Sequence, residues 1–432
     1  VSAPGDLKGE VEKRREEIVD WLSRLVAVPS ENRPPEGDEE RAQDFIEEEC
    51  VALGLETDTF TPSEVAGIET HRSWLPGRNY PSGRRNVVAR WPGTDPQAPS
   101  ILLSGHVDVA PRDPGEWTRC DPFTPVVESG RLYGRGSADM KGGLASLFWA
   151  VRLLRETGWA PAGDVVFESV VDEEFAGGNG TLASRLRGYN ADLAVVSEPT
   201  RMEICPACLG AFLGDLRLTG RAGMPYTGSA ISNPVDGLGR AIEIFGEWLQ
   251  TWREEQDHPL FRDPGKELNL ILWDLSSSGD EKTVQMGTPL FAKLSWILWC
   301  YPGMSEDGFR SAFGAFWRER GRTDEGLKPF ELDLTHTYHY VRSWETESNH
   351  PGVAAAREAF RAYTGRAPKI GGAPFSCDLA VYGEDGGMPA FILGPRGDNL
   401  HGPDEWVLLE DVVSLAGVFA LLIQEWCGVA SR

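Results

Sequence analysis

Positive charge is in short supply. The 432 residues carry 42 Lys and Arg against 66 Asp and Glu, a formal net charge of −24. A chain this acidic repels the phosphates of nucleic acid and the surface of an anionic membrane, so neither is expected as a partner. Long apolar runs are missing as well. No stretch reaches the roughly 18 apolar residues that a membrane-spanning helix needs. The opening VSAPGDLKGEVEKRREE lacks the basic-then-apolar pattern of a signal peptide, and the expectation is a cytoplasmic protein. Cysteines number seven, an odd count in a large chain, which argues against a disulfide framework. Cys205 and Cys208 form a C-P-A-C pair, but no second pair completes a zinc ribbon, and they read as buried thiols. Internal repeats and low-complexity tracts are absent too. What remains, at 41% apolar and 25% charged, is an ordinary globular composition with length enough for two domains.

Apolar positions at helical spacing run from residue 10 to 26, and a second helix is expected from Glu39 to Leu53. RNVVARWPG and SILLSGHVDVA read as strands, followed by a helical pattern from KGGLASLFWAVRLLRETG that stops at Gly158. DVVFESVVDEE and ADLAVVSEPT are two more short apolar strands. Strands alternating with helices predict an α/β fold with a mixed, mostly parallel sheet. The texture then changes. AFLGDLRLTGRAG, LNLILWDLSS, TPLFAKLSWILWCYPG and FELDLTHTYHYVRSW alternate as strands, with helical patterns after the first and third, a β-α-β-β-α-β order. From HPGVAAAREAFRAYTG the α/β texture returns. The expected organisation is a catalytic domain over 1–211 and 345–432, interrupted by an inserted α+β domain over 212–344.

Three acids stand in a row, Asp172, Glu173 and Glu174, directly after a β-branched run. Like charges so close repel by a few kcal/mol at an effective dielectric of ~20. Other polar clusters also follow apolar strands: His106 and Asp108 in SGHVDVAP, Glu198 in VVSEPT, and His401 in GDNLHGPDEW. Asp139 lies in GRGSADMKGG, between a glycine turn and a helix. In an open α/β sheet the carboxyl ends of parallel strands converge on one crevice. Taken alone, a strand-end His is more often a satisfied structural residue, and an acid pair is usually a solvated turn. Five together, with two imidazoles and several carboxylates, call for divalent metal, and mixed N/O donors suit zinc, cobalt or manganese better than calcium.

These motifs resemble the signatures of the co-catalytic metallopeptidase family that includes carboxypeptidase G, aminoacylase, acetylornithine deacetylase and succinyl-diaminopimelate desuccinylase. SGHVDVAP, GRGSADMKGG, DEEFAGGNG, SEPT and LHGPDEW occur in the family's order and spacing. The resemblance implies that Asp139 bridges two metals, zinc foremost, with His106 and Glu198 completing one site and Glu174 and His401 the other. It implies that Asp108 orients His106, that the Asp139–Met140 peptide is cis, and that Glu173 is the general base. The inserted unit resembles the family's ferredoxin-like lid or dimerisation domain, so a homodimer through the lid is an expectation. The chemistry fits these residue types. Paired metals acidify water and polarise a carbonyl, while a free carboxylate moves the proton to a leaving nitrogen.

The inserted domain departs from the pattern. Where relatives carry a His after its first strand, GRAGMPYTG has Met224; Met286 and Trp299 stand where an Asn and an Arg are usual. Those groups stabilise the oxyanion and grip the substrate, and losing one such donor typically costs ~3 kcal/mol. Met224 and Trp299 either make an aromatic-accepting lid or pack its core. Arg396 either grips a substrate carboxylate or pairs with Asp398 or Asp404, and Gly371 and Gly372 resemble the glycine turn lining the family's pocket. The reading is a metal-dependent hydrolase of a C–N bond in an N-acyl amino acid or short peptide, its small substrate bearing a carboxylate. The alternatives are a hydrolytic deaminase of a small aromatic amine and a catalytically weak metal- and carboxylate-binding relative.

Overall fold

A computed structural model of the chain describes residues 4–112, 115–175, 177–224, 226, 228, 230–278 and 287–430. The chain divides into two compact units. One takes Val1–Ala207, Trp344–Ala373 and Cys377–Arg432; the other takes Cys208–Ser343 and Pro374–Ser376.

The first unit is built on a mixed sheet. Four strands at its centre, Ala390–Ile392, Ala194–Val196, Ile101–His106 and Val165–Val170, lie parallel and in that order. All their residues are buried, which is why they read as near-continuous apolar runs. Antiparallel strands flank them: Asn86–Trp91 and then Glu56–Phe60 on one side, Ile204–Cys208 on the other. ICPAC, read above as a pair of thiols, is thus a buried strand, and neither cysteine is in a disulfide.

From Ile101–His106 the chain passes through the helix Gly142–Glu156 to the neighbouring strand Val165–Val170. It then returns through the helix Asn179–Leu186 to Ala194–Val196, on the opposite side of Ile101–His106. The strand order therefore reverses between Ile101–His106 and Ala194–Val196, and open α/β sheets bind ligands beyond the carboxyl ends at such a switch point.

The helix Gly142–Glu156 is apolar nearly all round, with only Arg152, Arg155 and Glu156 outside the core. It packs against the helices Arg15–Val26 and Leu409–Cys427 as well as the sheet, as an apolar circumference demands. Its first turn abuts the end of a strand: a Cβ on Gly143 would lie 1.8 Å from the Ser197 carbonyl oxygen, so only glycine fits. Among the described residues no helix is long and apolar enough to cross a membrane.

The second unit runs strand Gly210–Thr219, helix Pro234–Glu255, strands Leu270–Ser277 and Phe291–Cys300, helix Glu306–Thr323 and strand Glu331–Val341. Its four strands form one antiparallel sheet, with Gly210–Thr219 between Phe291–Cys300 and Glu331–Val341, and Leu270–Ser277 at the far edge. Asn233 and Ser305 cap the two helices with their side chains, the second cap being followed by Glu306 and Asp307 in the first turn. Phe212 stacks on Phe309 with centroids 3.8 Å apart, and Phe245, Trp296, Phe313 and Trp317 fill the space between sheet and helices.

Candidate metal centre

Three of the four parallel strands deliver their last or following residues to one place. Ile101–His106 ends at the imidazole itself, Val165–Val170 leads to Glu173 and Glu174, and Ala194–Val196 leads to Glu198. His401 arrives differently. A small antiparallel sheet of Val126–Glu128, Arg131–Tyr133, Trp406–Leu408 and Gly397–Asp398 holds it on the loop between its last two strands in sequence. The loop needs left-handed backbone at three non-glycine residues, Asn399, His401 and Asp404, at φ 58°, 60° and 56°.

Asp139 sits at the centre. Its Oδ1 is 3.3 Å from His106 Nε2 and its Oδ2 is 3.2 Å from His401 Nε2. Glu198 Oε1 lies 3.4 Å from His106 Nε2, and Glu174 Oε2 lies 2.8 Å from His401 Nε2. Two triads result, His106–Asp139–Glu198 and Asp139–Glu174–His401, each offering donor atoms within 4.8 Å of one another. The Asp139–Met140 peptide is cis. Glu173 belongs to neither triad; its Oε2 lies 3.8 Å from His106 Nε2.

The donor set fits divalent metal. His106 Nε2 is buried and makes no hydrogen bond, although three carboxylates crowd it. Two imidazoles and three carboxylates are the mixed N/O ligands of zinc-like ions. The electrostatics agree. Burial would lower the pKa of His106, yet Glu198, Asp139 and Glu173 reverse this and hold it well above the ordinary imidazole value. His401 is pushed up to about 11, foremost by Glu174. Burial pushes Glu198 up to about 7, against the pull of His106. It also lifts Glu173 well above the carboxylate range, with Asp378, Glu198 and Glu174 adding to the effect. Asp139 goes the other way: burial opposes ionisation, but the two imidazoles hold it far below its usual value.

The three consecutive acids part company. Asp172, at φ 64°, turns away from the triads. Its carboxylate accepts hydrogen bonds from Arg84 Nη2 at 2.9 Å, Tyr80 OH at 2.5 Å and Asn32 Nδ2 at 3.2 Å. Glu173 and Glu174 both donate their backbone N–H to Asp108 Oδ2, at 3.0 and 3.1 Å, and Ala110 N–H donates to Glu174 Oε1 at 2.8 Å. Gly177 closes the loop, for a Cβ there would lie 1.7 Å from the Asp172 carbonyl oxygen.

Two expectations are corrected. Asp108 was expected to orient His106 with its carboxylate, but His106 Nδ1 meets the Asp108 backbone carbonyl at 2.8 Å, while the Oδ1 atom lies 3.7 Å off. The carboxylate is taken by Asn32 and by the backbone of the two glutamates. Arg396 reaches neither a free position for a substrate carboxylate nor Asp398 or Asp404. Its Nε and Nη2 donate to the two oxygens of Asp411, each at 2.6 Å, and its backbone N–H to Asp411 Oδ2 at 3.0 Å. Asp411 is buried on the first turn of the last helix, where it needs a cation.

Of the remaining expected residues, Gly372 is buried in the strand Ile370–Ala373 of the first unit. Met224 is half-buried in the second unit, after the strand Gly210–Thr219, and Trp299 is half-buried in Phe291–Cys300. Met286 lies outside the described residues. Several supporting residues were missed by motif reading. Glu405 accepts from the backbone N–H of Asp139, Arg135 pairs with Glu405, and Arg84 with Asn32 neutralises Asp172. Glu405 falls inside LHGPDEW, four residues past His401, and Arg135 inside GRGSADMKGG, four before Asp139; those positions were the available signals.

Comparison with known proteins places this geometry. Residues 102–425 match the family described as Peptidase family M20/M25/M40. The chain is 27% identical over 447 residues to N-formyl-4-amino-5-aminomethyl-2-methylpyrimidine deformylase of Bacillus subtilis (strain 168), covering 98% of this chain and 97% of that protein. It is also 27% identical over 428 residues to succinyl-diaminopimelate desuccinylase of Methylobacterium radiotolerans, covering 92% of this chain and 99% of that protein. Among solved structures it is similar to the dipeptidase Dug1p of Saccharomyces cerevisiae, with a TM-score of 0.75 and 15% identity over 98% of each chain. With three quarters of its length matched, the chain belongs to peptidase family M20/M25/M40, a family of hydrolases acting on C–N amide bonds.

Proposed function

We propose that this chain is a two-metal amide hydrolase that removes a small acyl group from the nitrogen of a small molecule, with zinc foremost and cobalt or manganese as substitutes. The observation that carries the reading is the pair of triads sharing Asp139, each of whose oxygens faces a different imidazole. His106 and Glu198 would hold one metal, Glu174 and His401 the other, and Asp139 both. Bound there, divalent metals polarise the scissile carbonyl and make water acidic near neutral pH.

The chain's own residues do the rest. Glu173, outside both triads, takes the proton of the attacking water on a carboxylate oxygen and passes it to the leaving nitrogen as the C–N bond breaks. Its backbone is anchored on Asp108 Oδ2, which keeps it distinct from its neighbour Glu174. The Asp108 carbonyl, accepting from His106 Nδ1–H, leaves Nε2 as the donor toward metal.

The second unit, with its β-α-β-β-α-β order, is proposed as a ferredoxin-like lid and dimerisation domain. Supporting a homodimer, its edge strand Leu270–Ser277 exposes Ile271, Trp273 and Leu275, large apolar side chains beside a strand edge that no described residue pairs. Gly372 and Met224 remain proposed substrate contacts. The relatives named above are a deformylase and a desuccinylase, which favours an N-acyl small molecule and supports neither the aromatic deaminase nor the weak binder.

The test is amine release from N-formyl, N-acetyl and N-succinyl amines by protein stripped with chelator, before and after adding Zn²⁺, Mn²⁺ or Co²⁺. Metal-dependent release from at least one class is expected. Metal bound with no release from any would overturn the reading.

A further inference from the structure

We infer that Glu405 and Arg135 form a positioning pair that holds the shared ligand Asp139 in register with the His401 loop, and so sets the metal affinity of both triads; this rests on the two-triad reading above. Glu405 is 1% exposed, yet its carboxylate accepts four N–H donors. Oε1 takes the backbone N–H of Ala138 at 3.0 Å and of Asp139 at 3.1 Å. Oε2 takes the backbone N–H of Gly136 at 2.9 Å and Arg135 Nη1 at 2.8 Å. Arg135, equally buried, turns its other terminal nitrogen to the His401 carbonyl oxygen, Nη2 to O at 3.0 Å. One carboxylate therefore fastens the segment that carries Asp139. One guanidinium fork ties that carboxylate to the backbone of His401.

The local chain would not hold this shape unaided. Gly136, His401 and Asp404 all sit in the left-handed region, at φ 78°, 60° and 56°, and the non-glycine residues among them persist there only when surroundings fix them. Neither Glu405 nor Arg135 belongs to a triad. They act on the ligands through backbone groups, which a side-chain motif cannot report.

The chemistry of the pair dictates the variants. Glu405→Gln keeps size but turns an NH2 group onto two of the four donors, so half of the cradle becomes repulsive. Arg135→Lys keeps the charge but loses the two-pronged reach, retaining Glu405 and releasing His401. The consequences differ by site. Asp139 is common to both triads, so loosening it weakens both; releasing the His401 carbonyl weakens only the triad that contains His401.

The experiment is calorimetric titration of the full chain, stripped with chelator, with Zn²⁺ or Mn²⁺, alongside thermal unfolding of the metal-free protein. Wild type and His401→Ala serve as references. Glu405→Gln is expected to weaken both binding steps by about 10–100-fold, the usual effect of losing an outer partner of a metal ligand. Arg135→Lys is expected to weaken one step by about 10-fold, the same step that His401→Ala removes. Should Glu405→Gln prove too unstable to titrate, the one-step loss in Arg135→Lys decides. If both variants titrate as wild type while His401→Ala loses a step, the inference fails and the two-triad reading stands. The same holds if both merely lower the unfolding midpoint without moving either affinity. If wild type itself takes up no metal, the reading fails and the inference with it.

Discussion

Replacing Glu173 with glutamine should separate metal binding from turnover. Glu173 and Glu174 are adjacent in sequence, yet only Glu174 lies within a triad, its Oε2 2.8 Å from His401 Nε2. Glu173 stands 3.8 Å from His106 Nε2 and is pushed well above the carboxylate range by burial, with Asp378 and its fellow glutamates adding to this. Glutamine preserves the shape and removes the basic oxygen. A positioned general base contributes about 10²–10⁴-fold, or roughly 3–5 kcal/mol of barrier at 1.36 kcal/mol per decade. The expected result for Glu173→Gln is a kcat lower by about 10³ with metal affinity within a few-fold of wild type. The metal-free variant should also be no less stable than wild type, because one member of a repelling acid cluster has gone. Glu174→Ala should behave oppositely, losing metal affinity by more than the roughly 10–100-fold seen when only an outer partner is lost. The assays are amine release at saturating metal and calorimetric metal titration. Equal metal loss in the two variants, or a Glu173→Gln turnover within tenfold of wild type, would refute the division of labour.

Three further outcomes follow from groups around the centre. Glu39 is fully buried, its Oε2 accepts no hydrogen bond among the described residues, and it is pushed up to about 8 by burial despite Arg84 at 2.9 Å. The folded state thus binds more protons than the unfolded chain from about pH 4.5 to 8, and stability falls as pH rises through that window, by roughly 5 kcal/mol at most. Urea unfolding of wild type and Glu39→Gln at pH 5 and 8 checks this; a variant with an undiminished pH slope rules it out. Arg84→Met strips Asp172 of its nearest cation and should destabilise by about 3–5 kcal/mol, as when one partner of a buried ion pair is removed; a thermal midpoint unchanged from wild type would contradict the pairing. Arg396→Ala should leave KM for carboxylate substrates unaltered, because its fork is spent on Asp411, while lowering stability by about 1–3 kcal/mol. A KM raised tenfold or more would restore its role as a substrate ligand.

How much of this was legible before the structure depends on where each signal resides. The central strands were visible because burial on both faces leaves them nearly uniform, as in ILLSGH and VVFESV. Helices such as Glu40–Ala52 and Gly142–Glu156 were visible through period and flanking turns. Strands of two or three residues, such as Gly397–Asp398 and Trp406–Leu408, carry no period of their own; they exist because neighbours pair with them. The acids and imidazoles stood out as side chains at strand ends. Glu405 and Arg135 did not, because what they hold is mostly backbone, and any residue supplies an N–H or a carbonyl. Arg396 misled for a related reason. A cation near a candidate ligand looks functional until its partner, here 15 residues further on, is known.

The run of three acids shows how neighbours in sequence acquire different chemistry. Extended backbone would send Asp172 and Glu174 to one side and Glu173 to the other, which cannot bring Glu173 and Glu174 beside the two imidazoles and leave Asp172 among arginines. The left-handed turn at Asp172 breaks that alternation. It directs the first carboxylate to Arg84, Tyr80 and Asn32, and it presents the next two backbone N–H groups together to Asp108. Asp tolerates this conformation better than most residues, and its own side chain is satisfied by the partners it meets there. The close approach of Gly177 to the Asp172 carbonyl then seals the loop. The separation of Asp172 from the two glutamates is thus settled by its own backbone angle and by the arginine that receives its side chain.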